Sequence, residues 1–161
     1  MFKILKKRRF RKIWKSKDVN DFITSLHSWI LKKCEYGERL RRLSEAEKTF
    51  FYNQQLEVQI NNGGYKQFFD NYRGAYCHEV LASLREIGAD KVAEIHEKAL
   101  GAFGNQVPKG YEYEDWRMWG DLAENFDEIL DECDKEFYLY QDNLNELNYQ
   151  FALKNRKQFT A

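Results

Sequence analysis

The stretch Asn61-Asn62-Gly63-Gly64-Tyr65-Lys66-Gln67-Phe68-Phe69-Asp70-Asn71-Tyr72-Arg73-Gly74 decides how this chain is read. On its upstream side, Leu43-Ser44-Glu45-Ala46-Glu47 opens a helix. Ser44 stands at the N-cap and Glu47 three residues later, which is a capping box. Phe50, Phe51, Gln54, Leu56, Glu57, Val58 and Ile60 carry that helix to Asn61 and Asn62, and Gly63 is expected to end it. Downstream, Tyr65 to Tyr72 fits two helical turns with an aromatic face of Phe68, Phe69 and Tyr72. The double glycine reads as a chain reversal between helices. A phosphate loop needs GxxxxGK[ST], or GxGxxG after a strand, and neither spacing is present.

Working outward, the same helical period recurs on both sides. Asp18 or Asn20 caps a helix reaching about Cys34, with Phe22, Ile23, Leu26, Trp29 and Ile30 at helical spacing and Gly37 near its end. Cys77, Val80, Leu81, Leu84 and Ile87 predict a helix closed by Gly88. Asp90 opens the next, with Val92, Ile95, Ala99 and Phe103 inward, so the two form an αα-hairpin. After a loop over 104–115, Asp115 is expected to cap a long helix. It carries Trp119, Leu122, Phe126, Ile129, Leu130, Cys133 and Phe137 on one face. A last helix runs from about Asn143 to Gln158. No period-two pattern persists, and the chain holds a single proline. The expected fold is all-α: one compact domain of six to eight helices, hairpins joined by Gly turns, and no sheet. Residues 18–161 form the domain and residues 1–17 a basic amphipathic segment.

The 161 residues carry 26 Lys/Arg and 26 Asp/Glu, but the charge is segregated. Residues 1–17 contain nine basic residues and no acid, while residues 111–148 contain 13 acids and two bases. Phe10, Ile13 and Trp14 would form an apolar face in the basic segment. It is therefore a candidate for a membrane surface or nucleic-acid phosphates, through Lys6, Lys7, Arg8, Arg9, Arg11, Lys12 and Trp14. Docking on the acidic body of its own chain or of a second copy, or a frayed terminus, are the other readings.

Asp121, Glu124, Glu128 and Asp131 step by three, four and three. On one helix they would stack with Cβ atoms about 5–6 Å apart. Such a row resembles a phosphate backbone and would attract a surface built for DNA. Glu112, Glu114, Asp115, Asp127 and Glu132 add charge, and Trp116 supplies an aromatic of the kind enriched at binding hot spots. Ordinary solubilisation is the bland alternative.

Catalytic signatures are lacking. His78-Glu79 and His96-Glu97 do not extend to HExxH, and there is no GxSxG. Cys77 beside His78 reads as a core thiol next to a surface imidazole. Cys34, Cys77 and Cys133 are odd in number and contain no CxxC, so free buried thiols in a reducing compartment are expected. Without an apolar run long enough for a membrane span, or an apolar core behind the basic terminus, the expected location is cytoplasmic.

The run Glu57-Val58-Gln59-Ile60-Asn61-Asn62-Gly63-Gly64-Tyr65-Lys66-Gln67-Phe68-Phe69-Asp70-Asn71, then Gly74 and Leu84-Arg85-Glu86-Ile87-Gly88-Ala89, resembles the C-terminal helical domain of the DNA-mimic-protein family. Phe126-Asp127-Glu128-Ile129-Leu130-Asp131-Glu132-Cys133-Asp134-Lys135-Glu136-Phe137-Tyr138 is similar to that family's acidic segment. Together they span about residues 40–157. The resemblance implies a bacterial, all-α, non-enzymatic domain that uses negative charge to occupy the DNA-binding face of a regulator. It also brings in immunity-type binding of a toxin. No individual functional residue is implied, because mimicry depends on a charged surface. The expected partner is a basic or DNA-binding protein. No cofactor, metal or small-molecule substrate is expected, and a homodimer is a further expectation. The basic segment sets this chain apart from a uniformly acidic mimic.

Overall fold

The computed structural model describes residues 2–72, 76–103 and 124–161, with backbone alone for residues 2–6 and 72. Seven α-helices occur among the described residues, and no strand. They are α1 (Phe2–Ile13), α2 (Val19–Lys33), α3 (Glu45–Tyr72), α4 (Cys77–Ile87), α5 (Asp90–Gly101), α6 (Phe126–Phe137) and α7 (Leu144–Lys154). The all-α expectation holds. The chain folds as two compact units, Met1–Phe51 with Leu144–Ala161, and Tyr52–Asn143.

The first unit is built on α2 and α7. Asp18 is the cap of α2, accepting the Asp21 N–H at 2.7 Å. Phe22, Ile23, Leu26 and Ile30 are buried from its apolar face. From α7, Leu144, Asn148, Phe151 and Ala152 are buried, and Tyr149 packs edge-on to Phe22 with centroids 4.9 Å apart. Leu153 is 41% exposed, and the last turn of the expected helix is a short 3₁₀ turn at Arg156–Gln158. The turn after α2 uses three successive positive-φ residues, Glu35, Tyr36 and Gly37. Left-handed backbone is costly for the first two. Glu35 pairs with both Arg39 and Arg42, which fixes the turn.

The capping box at α3 is present and is extended into a latch. The Glu47 N–H donates to Ser44 Oγ at 3.2 Å, and the Ser44 N–H donates back to Glu47 Oε2 at 2.9 Å. Glu47 is fully buried. Lys33 Nζ donates to both its carboxylate oxygens, at 2.7 and 2.8 Å, and to Thr160 Oγ1 at 2.6 Å. The Thr160 N–H donates to Glu47 Oε1 at 3.0 Å. One carboxylate thus joins α2, the start of α3 and the C-terminal residues. A buried charge is tolerable when pairing and hydrogen bonds compensate its lost hydration.

The described residues of the basic segment pack within this unit. The apolar face of α1 packs against its own unit: Phe10 lies 5.1 Å from Trp29, and Trp14 lies 5.2 Å from Phe22 and 5.6 Å from Phe159. Arg156 stacks over the Trp14 ring at 5.0 Å.

The second unit contains an aromatic core. Tyr65, Phe68 and Phe69 of α3 surround His96 of α5, and Phe69 continues to Phe103 and Phe126 at 4.5 and then 5.0 Å. The turn from α4 to α5 uses Gly88 at φ 78, with the Ala89 N–H bonded to Leu84 O, a left-handed helix end as expected. Cys34, Cys77 and Cys133 are free and buried, and burial pushes the thiols of Cys77 and Cys133 up to about 12. His78 is exposed beside buried Cys77. His96 Nε2 lies 2.8 Å from the Cys77 carbonyl, which can only accept, so Nε2 carries the proton of a neutral ring. Burial lowers its pKa to about 4, and that of His27 likewise.

The central stretch breaks where expected. Helical backbone stops at Gly63 (φ −176, ψ 24) and Gly64 (φ 75, ψ −174), so α3 is two helices joined across a kink. The aromatic turns from Tyr65 to Tyr72 form the second of them.

Replacing Glu47 with Ala leaves Lys33 without its partner and the Ser44 amide uncapped, so unfolding free energy falls by about 3 kcal/mol in urea titrations. For both histidines the folded pKa lies below the unfolded value. Their contribution is complete above about pH 6.5 and is lost as the pH falls toward 4. The urea midpoint therefore drops over that window, and His96→Gln, which keeps a donor for the Cys77 carbonyl, shows a flatter dependence.

Candidate functional site

Helix α6 is organised by four buried residues, Phe126, Leu130, Cys133 and Phe137, spaced by four, three and four. That spacing fixes which residues face outward: Asp127, Glu128, Asp131 and Glu132 are all exposed. Asp127 and Glu128 occupy the first turn, where the helix dipole favours acids, and Lys135 lies in the last. The row differs from expectation at its upstream end. Residues 124–125 form a turn and the helix begins at Phe126, so Glu124 flanks the helix instead of extending its stripe. The expected members Glu112, Glu114, Asp115, Trp116 and Asp121 lie outside the described residues, as does the cap expected at Asp115.

Two of the carboxylates are already engaged. Asp127 pairs with Lys66 of α3 at 2.9 Å. Lys98 of α5 bridges Glu132 and Glu136, both at 2.9 Å. These contacts hold Lys98 and Lys66 above the usual lysine range and draw Glu132 below the usual carboxylate range. All five side chains are well exposed, so the pairs contribute little to stability and can be exchanged for a partner's cations. Glu124, Glu128 and Asp131 form no ion pair among the described residues.

The inner side of α6 holds the kink in α3. The Tyr65 N–H, first after the two glycines, donates to Asp134 Oδ1 at 2.8 Å. One turn further along α6, the Tyr138 hydroxyl donates to the Ile60 carbonyl at 2.6 Å, on the other side of the kink. A broken helix leaves N–H and C=O groups without regular partners. Asp134 and Tyr138, four residues apart, supply one to each side. Gly64 makes this approach possible. Its backbone lies where only glycine is at ease, and a Cβ there would meet the Asp134 carboxyl, with Cγ at 2.8 Å. Burial raises the Asp134 pKa, outweighing the Tyr65 hydrogen bond.

Sequence reading missed the residues that follow. Tyr138, Leu139 and Tyr140 are 45%, 68% and 53% exposed, an apolar knuckle at the end of α6. The Tyr140 hydroxyl donates to Asn61 Oδ1 at 2.9 Å, and its backbone takes the left-handed φ of 47. The helical period ends at Phe137, so nothing in the pattern marked these three as outward-facing.

The basic candidates sit elsewhere, in the first unit. Lys7, Arg8, Arg9, Arg11 and Lys12 are exposed on α1, and the Lys6 side chain lies outside the described set. Trp14 is withdrawn from the candidates: its ring lies among Phe10, Phe22 and Phe159. By unit, the chain divides into 18 basic against seven acidic residues, and eight basic against 19 acidic. The first unit carries +11 and the second −11. No helix among the described residues is long and apolar enough to cross a membrane. No group of three or more His, Cys, Asp or Glu among them could hold a metal ion.

The fold defines a class, that of all-helical proteins. Within it the chain belongs to the DMP19-like protein family, a DNA-mimic family whose model matches residues 41–155. The matched span takes in the capping box, the double glycine and α6, and leaves α1 and α2 outside. No curated protein and no solved structure matches the chain.

The kink geometry makes distinct demands on its two partners. Gly64→Ala loses about 3 kcal/mol or more, from backbone strain and displacement of Asp134. Asp134→Ala loses about 1–3 kcal/mol by leaving the Tyr65 amide unpaired, whereas Asp134→Asn, which keeps an acceptor and removes a partly buried charge, stays within about 1 kcal/mol of the parent. Chemical denaturation of the three variants checks this order.

Proposed function

We propose that this chain is a non-enzymatic binding protein whose acidic unit occupies the DNA-binding surface of a basic partner protein. The observation that carries the reading is the exposed face of α6. Glu128 and Asp131 stand there without an ion pair among the described residues, flanked by Asp127 and Glu132 in exchangeable pairs. A DNA-binding surface presents Arg and Lys spaced for phosphates. Carboxylates fixed on one helix face give such a surface comparable negative charge, with long-range attraction that speeds encounter. Tyr138 and Leu139 add apolar area beside the charge, which phosphates lack. That area supplies affinity that salt does not screen. Membership of a DNA-mimic family supports the same reading.

The test uses the immobilised full chain and a protein fraction enriched for DNA binding by elution from DNA–cellulose. The parent retains a DNA-binding protein that duplex DNA displaces. A variant with Glu124→Gln, Asp127→Asn, Glu128→Gln and Asp131→Asn binds that protein about 10–100-fold more weakly and with a shallower salt dependence. Equal retention by the variant would show that the α6 acids are not the contact. Capture of a toxin that has no DNA-binding surface would replace mimicry with immunity-type binding.

A further inference from the structure

The basic unit carries a surface that the acidic reading does not use. We infer that α1 and the C-terminal 3₁₀ turn form a binding site for the phosphate backbone of a nucleic-acid duplex.

The apolar residues Phe10 of α1 and Trp14 are spent on Trp29, Phe22 and Phe159 within the same unit. The helix is therefore locked with its cations outward. Arg8, Arg11 and Lys12 fall at i, i+3 and i+4, one stripe on the helix, Lys15 stands in the turn that follows it, and all four are exposed. Together with Arg9 they line one concavity whose described lining contains no other residue. None of the five forms an ion pair among the described residues, and residues 1–17 contain no acid. In the neighbouring depression the one acid, Asp21, accepts a 2.7 Å hydrogen bond from Ser16 Oγ. Arg156, stacked on Trp14 at 5.0 Å, brings the C-terminal cations Arg156 and Lys157 alongside the end of α1.

Five like charges around one concavity repel one another, and a bound polyanion relieves that repulsion while releasing the counterions that screen it. The same packing decides between polyanions. An amphipathic helix binds a bilayer by burying its apolar face among acyl chains. Here Phe10 and Trp14 are half-buried against Trp29, Phe22 and Phe159, so inserting them into a bilayer would require undocking the helix. A duplex backbone asks for cations alone, at a spacing comparable to successive turns of a helix. Arginine suits it further by pairing with phosphate through two parallel hydrogen bonds.

Fluorescence anisotropy with labelled mixed-sequence DNA and RNA duplexes of about 20 base pairs tests the site, since four phosphate contacts give a log–log salt slope of about −4. The full chain is expected to bind at least one duplex, with affinity falling about 100-fold between about 50 and 200 mM salt. Arg8→Gln, Arg11→Gln, Lys12→Gln and Lys15→Gln combined should abolish the slope, while Arg8→Lys with Arg11→Lys retains most of the affinity. The four α6 substitutions leave duplex binding intact or strengthen it, so failure here and failure of the mimic reading are distinguishable. The site is overturned if neither duplex binds at about 50 mM salt. It is equally overturned if the Gln variant binds as tightly as the parent, or if phosphatidylserine vesicles bind and duplexes do not.

Discussion

The second unit depends on the hydrogen bonds that α6 makes across the kink of α3. Asp134 takes the Tyr65 amide below the break and Tyr138 reaches the Ile60 carbonyl above it. These two residues lie one helical turn apart, so a single face of α6 satisfies both sides of an interrupted helix. Gly64 permits the contact, because any side chain there would occupy the space of the Asp134 carboxyl. The kink redirects α3 so that Tyr65, Phe68 and Phe69 enter the aromatic core around His96. The outward face of α6 is set by its buried residues Phe126, Leu130, Cys133 and Phe137, which leave Glu128 and Asp131 facing solvent.

The helices themselves were legible because their cause is local. Apolar periodicity, the Ser44–Glu47 box, the Asp18 cap and the Gly88 terminus are all written within a few residues. What lay beyond local pattern was missed. The Gly63-Gly64 pair announced the break, but the carboxylate that accepts the first amide after it, Asp134, lies about 70 residues away. The latch at Glu47 joins an anticipated cap to Lys33 and Thr160, and no sequence rule pairs those positions. The acidic row was visible as spacing. Which of its carboxylates are paired among the described residues required the positions of Lys66 and Lys98 on other helices. Tyr138, Leu139 and Tyr140 were passed over because exposure of apolar residues after a helix end leaves no periodic trace.

Charge segregation was legible in part. The basic terminus and acidic C-terminal half stand out in the sequence. The fold assigns further cations to the first unit, among them Arg39, Arg41, Arg42, Lys154, Arg156 and Lys157. A formal net charge of zero therefore describes neither unit. Each has a net charge large enough to dominate encounter with charged partners at moderate ionic strength. The family match covers α3 to α7 and omits α1 and α2, so most of the basic surface is a feature of this chain outside the matched region.

The most direct measurement of the central claim is mutual exclusivity. A DNA-binding partner, its duplex and the chain carrying Gln at positions 8, 11, 12 and 15 are mixed and resolved by sedimentation velocity. Silencing α1 in this way removes any bridging through the basic unit. If the α6 face stands in for DNA, only the two binary complexes form, and added duplex displaces the chain from the partner. A stable ternary complex, with the chain and the duplex bound to the partner at once, would contradict the account.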